Sequence, residues 1–227
     1  MFGKIAADAL GISDIGKIIS PADYDKVDAD DYIMHEENEK IFFVIKSKAD
    51  EYCFTNLALI HLDGSSAMSK KRMLRRKTYA SHPLSEVFLE TAGTVDLDIE
   101  IKFHMGDSKY SIDVTKKQLE QLKDLYKALL RIASIQKENR QMHSYALKSL
   151  DLAAQSLPRN HSTEASSEQF KHLNEYSFAW MQEQHKTFVR KDFGDVFENV
   201  ENIENVENTG KTGKAQLSQL ISNFSQL

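Results

Sequence analysis

Cysteine is almost missing from this sequence. The single Cys53 excludes a disulfide framework and a cysteine-based zinc site. Proline and glycine are scarce, with three and nine in 227 residues, which argues for regular structure over a loop-rich scaffold. No excess of positive charge exists either. The 29 Lys+Arg against 34 Asp+Glu leave a net charge of -5, which excludes a generally basic nucleic-acid binder and leaves only local basic patches. No uncharged apolar run approaches the ~18 residues that span a bilayer. The stretch MFGKIAADALGISDIGKII also lacks the continuous apolar core of a signal peptide. A cytoplasmic protein is the expectation. Apolar residues at 41% and charged ones at 28% suffice for a core beneath a hydrated surface.

The rhythm of the chain changes near Asp113. Before it, short runs alternate or cluster as strands do: Ile41 to Ile45, Tyr52 to Thr55, Leu57 to Leu62, Met73 to Tyr79 and Val87 to Thr91. In 94–103, Val95, Leu97, Ile99, Ile101 and Phe103 face one way, while Thr94, Asp96, Asp98, Glu100 and Lys102 face the other. That is the period of a half-buried strand. Gly106-Asp107 turns the chain, and Tyr110, Ile112 and Val114 repeat the alternation. Seven such strands predict an antiparallel sandwich or bent barrel. The N-terminal residues Phe2, Ile5, Ala6 and Ala9 make a short amphipathic stretch, and the acidic segment from Asp23 to Glu39 reads as a solvated connector.

At Thr115 the period becomes helical. Thr115 with Gln118 fits a capping box, and Leu119, Leu122, Leu125, Leu129 and Ile132 form an apolar stripe. Nothing breaks it before Pro158, so one helix of ~60 Å is predicted, longer than a small domain can cover. After a polar turn at 158–167, a second helix carries Phe170, Leu173, Trp180, Met181 and Phe188. An αα-hairpin results. From Asp192 onward the acids recur every third residue, as an acidic helical extension or mobile tail.

Residues 54 to 113 carry a resemblance. Phe54-Thr55-Asn56, Leu62-Asp63-Gly64, Ser69-Lys70-Lys71-Arg72, Pro83-Leu84-Ser85, and above all Leu89-Glu90-Thr91-Ala92-Gly93-Thr94-Val95-Asp96-Leu97-Asp98 resemble the bacterial pleckstrin-homology-like (PH) domain family. The helical part resembles its YvbH-like oligomerisation extension. The resemblance implies an α+β fold with a seven-stranded bent sheet capped by a helix. It also implies a non-enzymatic domain, cyclic assembly of many copies, and a polar surface where protomers meet. The segments expected are a PH-like domain at 1–134, a hairpin extension at 135–191 and an acidic tail at 192–227. Eukaryotic relatives hold a basic inositol-lipid loop between their first two strands. Here Ser47 to Glu51 contains Lys48, Asp50 and Glu51, which departs from that pattern.

Three sets of residues are candidates for contact. Lys70, Lys71, Arg72, Arg75, Arg76 and Lys77 place six cations in eight residues. They suit phosphate or acidic protein, or simply a charged edge strand that resists pairing. Asp96, Asp98 and Glu100, beside Glu90 and Thr91, line a polar face. They suit a simply solvated face, a hard divalent cation or, the preferred functional reading, the basic cluster of a neighbouring copy. Met142, Leu150, Phe170, Leu173, Phe178, Trp180, Met181 and Phe188 are the candidate oligomer interface, since Phe178 points away from Phe170 and Leu173 and widens the apolar coverage beyond one partner helix. The eight histidines include no pair at i, i+4 and no HExxH. No GxSxG, P-loop or GxGxxG appears, and neither a metal nor a cofactor is expected. The favoured function is a non-catalytic module that forms a ring of identical copies and binds a protein. The alternative is a peripheral adaptor on anionic membrane lipid.

Overall fold

A computed structural model describes residues 15–64, 72–91, 98–155 and 165–200. Strands β1 (Lys17–Ile18), β2 (Ile41–Lys46), β3 (Asp50–Thr55), β4 (Ala58–Gly64) and β5 (Arg72–Thr78) form one antiparallel sheet in chain order. Strands β6 (Leu84–Glu90), β7 (Asp98–Met105) and β8 (Ser108–Thr115) form a second. All seven expected strands are present, and β1 is additional. The N-terminal amphipathic stretch, the first four residues of the 94–103 alternation and the chain beyond 200 lie outside the described residues, as does most of the polar turn.

The two sheets meet at Gly16, which forms an isolated parallel bridge with Val114. Gly16 N–H donates to the Asp113 carbonyl at 2.8 Å, and Thr115 N–H donates to the Gly16 carbonyl at 3.0 Å. A Cβ on Gly16 would lie 2.8 Å from that Asp113 oxygen and 2.7 Å from Ile45. Only glycine lets the sheets approach this closely.

Gln118 does not close a capping box. Thr115 makes no side-chain cap bond. Instead the Gln118 amide reaches β1, accepting from Ile18 N–H and donating to the Ile18 carbonyl, both at 2.8 Å. After a 3-10 turn at Lys116–Gln118, helix α1 runs over Leu119–Gln155. At 1.5 Å per residue its 37 residues extend about 55 Å. Leu122, Leu125, Ala128, Leu129 and Ile132 bury against the sheets, and Gln136 is the last buried residue. Beyond that point the helix projects. Helix α2 (Ala165–Phe188) completes the hairpin.

Two expectations need correction. The acidic segment 23–39 is a lid, not a connector. Three 3-10 turns (Pro21–Lys26, Asp28–Tyr32, His35–Glu37) seat Val27, Ala29 and Ile33 against Val44, Cys53, Ile60 and Leu62 on the outer face of the first sheet. That cover explains why β2 is apolar on both sides. The segment from Asp192, expected as an acidic helical extension or mobile tail, is anchored in the core as far as it is described. It is helical over 194–200, with Phe193, Val196, Phe197 and Val200 buried in the same cluster as Phe42, Phe43 and Tyr79. Helical spacing puts these four on one face while the carboxylates stay outside.

Candidate interaction surfaces

Lys70, Lys71 and Asp96 lie outside the described residues, and Arg72 opens β5 opposite Gly64. Among the described residues β5 is the edge of its sheet, and three of its cations are occupied. Arg75 pairs with Asp63 at 2.7 Å. Arg76 reaches under the sheet edge to Glu39 at 2.8 Å, and Lys77 donates to the Met105 carbonyl at 3.3 Å. Arg76 serves the interior. Glu39 is almost wholly enclosed and accepts from Arg76, from the Thr55 hydroxyl at 2.6 Å and from Met34 N–H at 2.8 Å. Its counterpart Glu51 accepts from Ala29 N–H at 2.6 Å and pairs with Lys46 at 2.8 Å. Two buried carboxylates therefore fix the acidic lid to the sheet.

The polar face lies on the second sheet. Glu90 stands opposite Glu100, an arrangement of like charges that needs compensation. Lys102 supplies it, bridging Glu90 and Glu100 at 2.9 Å each. Ser111 also donates to Glu100. Partial burial opposes ionisation of Glu100, but the Ser111 hydroxyl and the Lys102 ammonium outweigh it and hold the carboxyl below its ordinary 4.5. The same two carboxylates raise Lys102. Thr91 is exposed at the end of this row, and half-buried Asp98 begins β7. Among the described residues no group of three or more His, Cys, Asp or Glu could hold a metal ion.

The depressed carboxyl gives a signed expectation. A group with a lowered folded value adds stability above its unfolded value, and that contribution disappears as pH falls through the folded one. Ser111→Ala should therefore raise the Glu100 titration toward 4.5 and move this acid-side loss to higher pH. NMR titration of the Glu100 carboxyl checks it. An unmoved midpoint would show that Ser111 contributes nothing.

Phe88 escaped the sequence reading. It is 54% exposed on this face, because a register shift between Ser85 and Phe88 and a positive φ of 50° at Glu86 offset the alternation. Phe88, Lys102, His104, Lys109 and Ser111 line a shallow concavity of about 340 Å³.

On the hairpin, the candidate interface divides in two. Leu150, Trp180 and Phe188 are half-buried. With His143 and Ala146 on α1, and Ser177 and Gln184 on α2, they fall at three-four spacing along the line where the helices face each other. At the hairpin's foot the His143 ring lies 6.2 Å from His185 and 6.3 Å from Phe188. Met142, Leu173 and Met181 are exposed, as are Phe170 at 71% and Phe178 at 58%. Tyr145 and Tyr176, absent from the sequence candidates, are exposed beside them. No described helix is long and apolar enough to cross a membrane, so these side chains are not a bilayer span.

A five- and a three-stranded antiparallel sheet with a helix packed after the last strand is the arrangement that the resemblance implied. Residues 9–133 match the family described as bacterial PH domain. The chain belongs to the bacterial PH domain family. Residues 144–203 of this bacterial PH protein match the YvbH-like oligomerisation region. It is 59% identical over 199 residues to the uncharacterized protein YvbH of Bacillus subtilis (strain 168), covering 87% of this chain and 98% of that one. It is also similar to the crystal structure of a PH-domain-containing protein from Exiguobacterium sibiricum 255-15. That likeness has a TM-score of 0.76 and 52% identity, over 82% of this chain and 99% of the other. The region matched as oligomerisation contains both the exposed hairpin aromatics and the buried Phe193–Val200 face.

Proposed function

We propose that this bacterial PH protein is a non-catalytic assembly module whose hairpin associates with hairpins of other copies in a closed, high-order ring. The ring presents the polar face around Glu90, Glu100 and Lys102 repeatedly to a protein partner. One observation carries the reading: a helical pair that projects beyond its domain keeps large aromatic side chains, Phe170, Tyr176 and Phe178, in water. Exposed apolar surface of this extent on both flanks of a projecting element marks an interaction site. Two different flanks of one hairpin give a head-to-tail contact, which closes into a ring when the rotation permits. On the sheet, Phe88 provides an apolar anchor within a charged rim, the usual anatomy of a protein interface. The anionic-lipid alternative draws less support, because Arg75 and Arg76 already pair with Asp63 and Glu39.

Light scattering of the full chain should give a mass several times 25.9 kDa. In the double variant Phe170→Glu/Phe178→Glu, each buried phenylalanine lost removes ~1.5–3 kcal/mol of burial and leaves a charge in its place. Association should weaken roughly a hundredfold or more, yielding monomer with an unchanged circular dichroism spectrum. A monomeric parent chain at tens of micromolar, on the order of ordinary working concentrations, overturns the proposal.

A further inference from the structure

We propose that a cleft at the foot of the hairpin binds a small oxyanion bearing a compact apolar group, a phosphate monoester or a carboxylate. The cleft lies where three parts of the chain converge: the 79–83 turn after β5, the middle of α1 at Gln136 to Arg140, and the exit of α2 at Phe188 to Arg190. It is a half-open cleft of about 160 Å³, near five water molecules' share of liquid at ~30 Å³ each. That admits a head group and a small substituent, not a polymer.

Its chemistry is one-sided. Two arginines, Arg140 and Arg190, line the cleft together with Ser81 and Asn139, and no carboxylate is among its lining residues. Arg190 is held in place. It donates to the Asp192 carbonyl at 2.6 Å and to the Asp195 carboxylate, with its guanidinium 4.7 Å from the Phe193 ring centre. Asp195 offsets that charge from outside the cleft. Arg140 is exposed and has no ion pair or hydrogen bond among the described residues, so its guanidinium faces only water and is free to take an anion. A guanidinium presents a planar fork that matches phosphate and carboxylate oxygens. Phe188, Val189 and Pro83 make the remaining wall apolar, which suits a substituent beside the anion. The floor is rigid, because Gln136 accepts from Leu84 N–H at 2.8 Å and donates to the Tyr79 carbonyl at 2.7 Å. An occupant would touch both the sheet domain's turn and the hairpin. The inference is independent of self-association.

Titration calorimetry of the full chain with phenyl phosphate and with benzoate tests it. Saturable binding of one molecule per chain is expected for at least one probe, and the tighter probe identifies the head group. Arg140→Gln should weaken binding roughly tenfold or more, the scale of a lost charged hydrogen bond, while Arg140→Lys keeps part of it. Asn139→Asp, which adds a negative charge to the cleft, should weaken it independently. Absence of saturable binding by both probes up to roughly 10 mM overturns the proposal. So does binding that neither Arg140→Gln nor Asn139→Asp alters.

Discussion

Phe197→Ala should cost about 3–5 kcal/mol of unfolding free energy, the range for deleting a fully enclosed aromatic side chain. Phe197 is completely buried. Its ring stacks on Phe42 with centroids 5.0 Å apart, and it lies 6.2 Å from Phe43 and 6.4 Å from Tyr79. Both phenylalanines of β2 face it because the register shifts between Ile41 and Phe43, a bulge that places consecutive side chains in the core. Little can collapse into the void, since Tyr79 is held from the other side by Phe193 at 5.6 Å. The substitution should also release the hairpin's second foot. Urea unfolding at fixed protein concentration measures the energy, the concentration being held because self-association adds to apparent stability. Hydrogen exchange should report faster opening of 189–200 than of α1. A loss below about 1 kcal/mol would show that this segment is an ornament on the fold.

The second large effect concerns an ion pair with almost no water around it. Glu39→Ala removes the acceptor shared by Arg76, Thr55 and Met34, and should cost about 3–5 kcal/mol because a mostly enclosed guanidinium loses its counter-charge. Arg76 is already tightly confined: its Nη1 is buried with no hydrogen-bond partner among the described residues. The double variant Glu39→Met/Arg76→Met should recover much of the loss, since an apolar pair of similar volume avoids the desolvation of both ions. A double variant no more stable than Glu39→Ala alone would mean that hydrogen bonding to the lid, not charge compensation, is what Glu39 supplies. Thermal unfolding of the three proteins decides it.

Much of this architecture was legible from periodicity. The alternation through Ile99, Ile101 and Phe103 and the switch at Thr115 correspond to β7 and α1. The misses have physical causes. Strand β1 spans only Lys17–Ile18, too short to show a period. Gln118 occupies the position of a helix cap yet bonds a strand a hundred residues away, and spacing alone does not separate the two. From Asp192 onward the three-residue repeat of acids masks the helical spacing of Phe193, Val196, Phe197 and Val200, which form one buried face. The basic cluster was legible as charge but not as pairing. Arg75 and Arg76 find partners 12 and 37 residues away, which only the folded sheet brings near. The exposed hairpin side chains were largely anticipated. Leu150, Trp180 and Phe188 are half-buried at the spacing of the seam between the two helices, and sequence spacing alone does not separate a seam from an outer apolar flank.

The burial of Phe193 and Phe197 beside β2 and β5 has a consequence for synthesis. Asn56, in the turn between β3 and β4, holds Asp192 through its amide at 2.8 Å and Phe193 N–H through its carbonyl at 2.9 Å. A nascent chain that has delivered all eight strands and α1 still lacks the aromatic plug those strands enclose. It must wait on the ribosome for the second half of the hairpin, at about 5–20 residues per second, before the core between the sheets is complete. The hairpin is thus an excursion within one cooperative unit, entered from a sheet and returned to it, and cutting the gene at the edge of the strands would discard part of the molecule's own centre.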